Sequence, residues 1–195
     1  MKSLLTVLVV SLLSVVTFAQ KETPNLPIDS TTKMITYTEV VHVDTSINKL
    51  ESYSRAREWF AKQYKSSTNV IQMDDKESGK IVGKALMQVY HRALGSNHPS
   101  GYINYTISIY LKDGRYKYEI TNFYHTGQYV GDGNRIDDYG PCEDMIHTKK
   151  KIMGMSYQKT FNYYLLQLDD NIKLLIVSLK NSMNTKAIDN DKKDW

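Results

Sequence analysis

Residues 102–123 read YINYTISIYLKDGRYKYEITNF, and the order of side chains within them decides the architecture. Successive side chains of a strand point to opposite faces. Ile103, Tyr105, Ile107, Ile109 and Leu111 therefore share one face, and Tyr102, Asn104, Thr106, Ser108 and Tyr110 share the other. The first set is apolar and the second carries amides, hydroxyls and phenols, which is the pattern of a sheet with one face buried and one open. Asp113-Gly114, within Lys112–Arg115, is a strong short-range hairpin signal, so Tyr116 to Phe123 returns antiparallel beside the first strand.

Working outward, Val70 to Met73 and Ile81 to Val89 flank Asp74–Gly79 as an earlier hairpin, with Gly79 free to take a positive φ. Ile35 to Val43 is rich in β-branched and aromatic residues and ends at the capping candidates Asp44, Thr45 and Ser46. A helix follows, with Leu50, Tyr53, Arg57, Phe60 and Tyr64 at three- and four-residue spacing and Ala56 and Trp59 beside them. Residues 126–143 hold four of the ten glycines, Pro141 and several Asp residues, and are expected to form a long irregular connection. The cleanest periodic signal comes last, from Tyr157, Phe161, Tyr164, Leu165, Leu168, Ile172, Leu175, Ile176, Leu179 and Met183. A helix from Ser156 to Met183 would run about 40 Å, long enough that a bend at Asp169-Asp170-Asn171 or a projecting end is expected. The order strand, helix, four strands, helix predicts an α+β fold, with an antiparallel sheet of four to five strands and two helices on one face.

The first residues have the three parts of a secretory signal: Lys2, the apolar run Leu4–Val16, and small residues through Ala19. That run is too short for a membrane span. Cleavage after Ala19 is expected to leave a chain exported to the periplasm or beyond the cell. Residues 20–33 then read as an extended leader, 34–184 as a single domain and 185–195 as a flexible tail, with no transmembrane span in the mature chain. The 176 remaining residues suffice for one core. Their 24 basic and 21 acidic side chains give a net charge of +3, too balanced to select a partner class. A lone cysteine, Cys142, cannot form an internal disulfide, and its acidic neighbours Glu143 and Asp144 favour an inert thiol.

Three stretches, SRAREWFAKQY at 54–64, VIQMDDKESGKIVGKALM at 70–87 and YTISIYLKDGRYKYEITNFYH at 105–125, resemble the bacterial domain-of-unknown-function family four-four-six-eight. The likeness extends over about residues 35 to 125. It implies a fold like that of the TATA-binding protein, of the helix-grip type, and an exported habit. The family has no established activity or catalytic residues to carry over.

A sheet that grips nucleic acid needs phosphate-neutralising cations. The open face offers only Lys84 and Lys117, with Glu119 beside them, so nucleic acid is not an expected partner. The same face, through Tyr102, Asn104, Thr106, Tyr110, Lys84 and Lys117, is the predicted ligand site, suited to an envelope protein, a glycan or a small molecule. Asp132, Asn134 and Glu143 match positions of a calcium loop, but Ile136 and Asp137 stand where an oxygen ligand and a glycine are required. His42, His91, His98, His125 and His147 lack zinc-site spacing. No catalytic residue, cofactor or metal is therefore expected, and the leading reading is a non-catalytic binding module. Two others compete: an envelope enzyme around residues 126–143, where His125, Asp137, Asp138 and Cys142 gather, and a structural subunit forming a weak homodimer through the last helix.

Overall fold

The computed structural model describes residues 24–184 except 94, 131, 132, 149, 150, 153 and 154. The expected signal and tail lie outside the described residues. Five strands form the body of one antiparallel sheet in the order β1 (Tyr37–His42), β5 (Arg115–Thr126), β4 (Ser96–Lys112), β3 (Lys80–Ala93), β2 (Ile71–Asp75). The two-residue β8 (Gly140–Pro141) adds a sixth strand against β5. Helices α1 (Lys49–Gln63) and α4 (Gln158–Asn184) lie on one face, with single-turn helices α2 (Ser67–Val70) and α3 (Glu143–Ile146) at the edges. Residues 126–143 are more regular than expected: they hold a short hairpin, β6 (Tyr129–Val130) with β7 (Asn134–Arg135), besides β8. A second small pair, β9 (Lys151–Ile152) with β10 (Met155–Ser156), precedes α4.

The alternation expected in β4 is realised: Ile103, Ile107 and Ile109 are fully buried, with Tyr105 and Leu111 nearly so. Helix α1 is capped by Asn48, whose side chain accepts from the Glu51 amide at 2.9 Å, rather than by residues 44–46. Asp44 instead fixes the preceding turn through the Ser46 amide. Phe60 sits directly over Gly83, where an added Cβ would stand 2.7 Å from its ring. The helix thus approaches the sheet closely because β3 lacks a side chain there.

Helix α4 is continuous through Asp169, which turns inward. Its carboxylate accepts from the Tyr37 hydroxyl at 2.9 Å and pairs with Lys173 at 2.7 Å. The stripe Leu168, Ile172, Leu175 and Leu179 is buried in the core, so the face that a helix-mediated dimer would need is already covered. Residues 24–33, expected as an extended leader, close a turn in which Asp29 accepts from the Thr31 and Thr32 amides. Leu26 is buried against the core, and Ile28 bridges Ile35. The turn is held by an aspartate two and three residues ahead of its two amide donors, an arrangement that needs no hydrophobic periodicity.

Two bulges break the alternation and redirect side chains inward. In β5 the register shifts between Asn104 and Thr106 of its partner strand, with Asn122 at φ 60°. In β4 the shift lies opposite Val89, with Gly101 at φ 107° and the Thr126 carbonyl 2.3 Å from where its Cβ would be. Phe123, His125 and Ser100 are consequently buried under α4.

Candidate functional site

A cleft of about 800 Å³ opens where α1 ends and the chain turns back toward β2. Gln63, Tyr64, Lys65 and Ser66 form one wall, and Asn69 with Val70 of α2 the next. The sheet contributes Lys84, Ala85 and Leu86 from β3, Asn104, Tyr105 and Thr106 from β4, and Asn122 at the β5 bulge. Tyr64 departs from the helix as its C-cap, with its amide still bonded to the Phe60 carbonyl at 3.1 Å. Its phenol meets that of Tyr105 at 3.4 Å, and burial pushes both phenols above their ordinary range. They act as neutral hydrogen-bonding aromatics rather than as nucleophiles. On the rim, Asn104 donates to the Tyr124 carbonyl at 3.2 Å and to Thr126 at 3.0 Å, which fixes its amide.

Of the six residues predicted on the open face, Lys84, Asn104 and Thr106 reach this cleft. Tyr110 and Lys117 lie toward the 112–115 turn. There the Tyr110 ring stands between the ammonium groups of Lys80 and Lys117, at 5.3 and 5.8 Å, and Lys117 pairs with Glu119 at 3.0 Å. Tyr102 lies at the opposite end, level with Gln88 and Thr126. The six form no single site because their row spans the length of the strands. Sequence reasoning missed Tyr64, Asn69, Val70, Tyr105 and Asn122, having assigned Tyr64 and Tyr105 to packing. An asparagine within a strand pattern was the available signal for the bulge, since Asn tolerates positive φ.

The smaller cleft, about 420 Å³, lies beside the amino end of α4. His125 is fully buried near it. Its Nε2 donates to the Ser100 carbonyl at 2.9 Å and its Nδ1 accepts from the Tyr139 amide at 3.4 Å. Burial lowers its pKa. With both nitrogens bonded to backbone, His125 has none left to activate Cys142. That thiol is itself fully buried, and desolvation, aided by Glu143, drives its pKa up. Asp138, another member of that sequence cluster, accepts from the Gly127 amide at 2.6 Å and from Arg135 at 2.8 Å. Glu143 accepts from the Ile35 amide at 2.7 Å. These carboxylates hold the fold together, and the described residues contain no cluster of three or more metal-ligating side chains.

Residues 37–126 match the family model described as a domain of unknown function (DUF4468) with TBP-like fold. This segment is a DUF4468 domain. A crystallised DUF4468 family protein from Bacteroides ovatus superposes with a TM-score of 0.60 at 14% identity, covering 82% of this chain and 91% of that one. A TBP-like protein from Parabacteroides distasonis gives 0.56 at 18% identity, covering 80% and 97%. At such identities the likeness shows the fold alone. No curated protein matches the chain. The larger cleft is built wholly within the DUF4468 segment, whereas the smaller one takes Tyr139, Lys159, Thr160, Tyr163 and Tyr164 from beyond it.

Proposed function

We propose that the chain is an exported, non-catalytic binding module whose ligand, an envelope protein segment, glycan or small molecule, seats in the cleft between the end of α1 and the open sheet face. The observation that carries this reading is the chemistry of the lining. Aromatic and aliphatic groups, Tyr64, Tyr105, Val70 and Leu86, form an apolar patch ringed by the amides of Gln63, Asn69, Asn104 and Asn122. A largely apolar concavity with a few fixed polar groups is the usual form of a recognition site. No Asp, Glu, His or Cys lines it, which leaves two lysines, Lys65 and Lys84, and the buried phenols of Tyr64 and Tyr105, held neutral by burial, as its ionisable groups. Export rests on the pattern of residues 1–19.

Photo-crosslinking in the producing cell tests the proposal, with a benzophenone side chain in place of Leu86 at the cleft or of Val177, equally exposed on α4. Adducts are expected at position 86 and not at 177. Equal labelling at both positions, or none at 86, overturns the reading.

A further inference from the structure

The smaller cleft is not an extension of the first and does not depend on the reading given above. Its polar groups share one character. Arg92 and Lys159 are exposed at its mouth, and neither has an ion-pair partner among the described residues. His91 lines the wall, where its Nδ1 meets the buried Ser100 hydroxyl at 3.3 Å, and Ser100 in turn bonds the buried Tyr164 hydroxyl. In the tautomer in which Ser100 donates to Nδ1 and Tyr164 donates to Ser100, the imidazole carries its hydrogen on Nε2, as a donor. His98 stacks on His91 at 5.5 Å, adding a second imidazole to the same edge. No Asp or Glu lines the cleft. The nearby Asp138 carboxylate is held by Gly127 and Arg135.

We propose that this cleft binds the oxyanion of a small polar molecule, a sugar phosphate or a sugar acid, between Arg92, Lys159 and His91, with the ring of Tyr139 or Tyr164 against its uncharged body. Two unpaired cations facing one concavity without a carboxylate make a field that favours an anion and opposes a metal ion, although two histidines stand side by side. The amino end of the 27-residue helix α4, from Gln158, points its dipole in the same sense. A volume near 420 Å³ exceeds what a bare phosphate fills, so the ligand has a body as well as a charge. Arginine and lysine are the side chains best suited to such an oxyanion.

The test is a titration of the purified chain at roughly physiological ionic strength with glucose 6-phosphate, with glucuronate and with glucose, following the ring signals of His91 and His98 by NMR. Saturable shifts are expected with at least one of the two anions and not with glucose, and the anion that saturates at the lower concentration identifies phosphate or carboxylate as the group recognised. Arg92→Ala and Lys159→Gln alter exposed side chains, so each is expected to keep the melting temperature while weakening binding about tenfold, the loss of one charge-assisted hydrogen bond. Absence of a saturable shift with both anions, an equal response to glucose, or unchanged affinity in both variants overturns the proposal.

Discussion

Protonating the His125 ring would set an N–H at Nδ1 against the Tyr139 amide that now donates to it, inside a core that already disfavours charge. Burial holds its folded pKa below the ordinary 6.5. As pH falls past that ordinary value the unfolded chain takes up a proton that the folded chain refuses, so acid favours unfolding. The stability that His125 contributes is complete above about 6.5 and is lost as pH drops through the folded pKa; His91, depressed by burial and by His98, acts in the same direction. Calorimetry from pH 7 to pH 5 is expected to show a falling melting temperature, and His125→Gln should flatten that slope while lowering the plateau. An unchanged slope in the variant would refute the assignment. The depressed carboxylates Asp29, Glu39, Asp75 and Asp138 start from 3.8 or 4.5 and act only at lower pH. Asn122 presents a different constraint, a left-handed backbone at φ 60° that pivots the β5 bulge. Asn122→Gly should leave urea stability within about 0.5 kcal/mol, whereas Asn122→Ala should cost about 1 kcal/mol; equal losses would show that the side chain, not the backbone, matters.

Helix α1 meets the sheet through Phe60 on Gly83, a contact that leaves no room for a methyl group. Gly83→Ala should destabilise by about 1–3 kcal/mol through overpacking, and Phe60→Leu in the same chain should recover part of it. Denaturant melts of the two single variants and the double variant give the coupling energy, and strict additivity would show that the two sites do not press on each other. The same strands show what the sequence could and could not disclose. The 102–123 hairpin, both amphipathic helices and the buried face of β4 were legible, because hydrophobic period and an Asp-Gly turn are local signals. The bulges at Gly101 and Asn122 were not, since alternation has no provision for a one-residue slip, and each slip reverses which side chains face inward. The clefts follow from those slips. Ser100 and His125 turn under α4 beside the smaller one, and Asn122 reaches the rim of the larger, so the sequence yielded three of the larger cleft's residues and left Tyr64 and Tyr105 in the core.

The proposed export and the folding bear on the chain as a unit. Intact mass of the protein recovered from the envelope or medium is expected to begin at Gln20; material retaining Lys2 would refute the processing. The extent of the folding unit is a separate matter, for the DUF4468 segment ends at residue 126 while the similarity to both crystallised proteins extends over at least 80% of the chain. Helix α4 accounts for the difference. It is tied to β1 by Tyr37–Asp169 and Glu39–Lys180, and to α1 by Trp59–Ser178 and by Arg55 on the Met183 carbonyl. Phe161, Tyr164, Leu165, Leu168, Ile172, Leu175, Leu179 and Met183 are all buried by it. At about 1.5–3 kcal/mol for each large apolar side chain, these eight contribute on the order of 12–24 kcal/mol, against a net stability of about 5–15 kcal/mol for an ordinary domain. A chain ending at residue 156 keeps every strand of the sheet, yet should show no cooperative thermal transition and should bind a hydrophobic dye through the uncovered face of β3, β4 and β5. A sigmoidal melt from that shortened chain would mean that the sheet and α1 suffice by themselves, and that α4 is an attachment to the fold rather than half of its core.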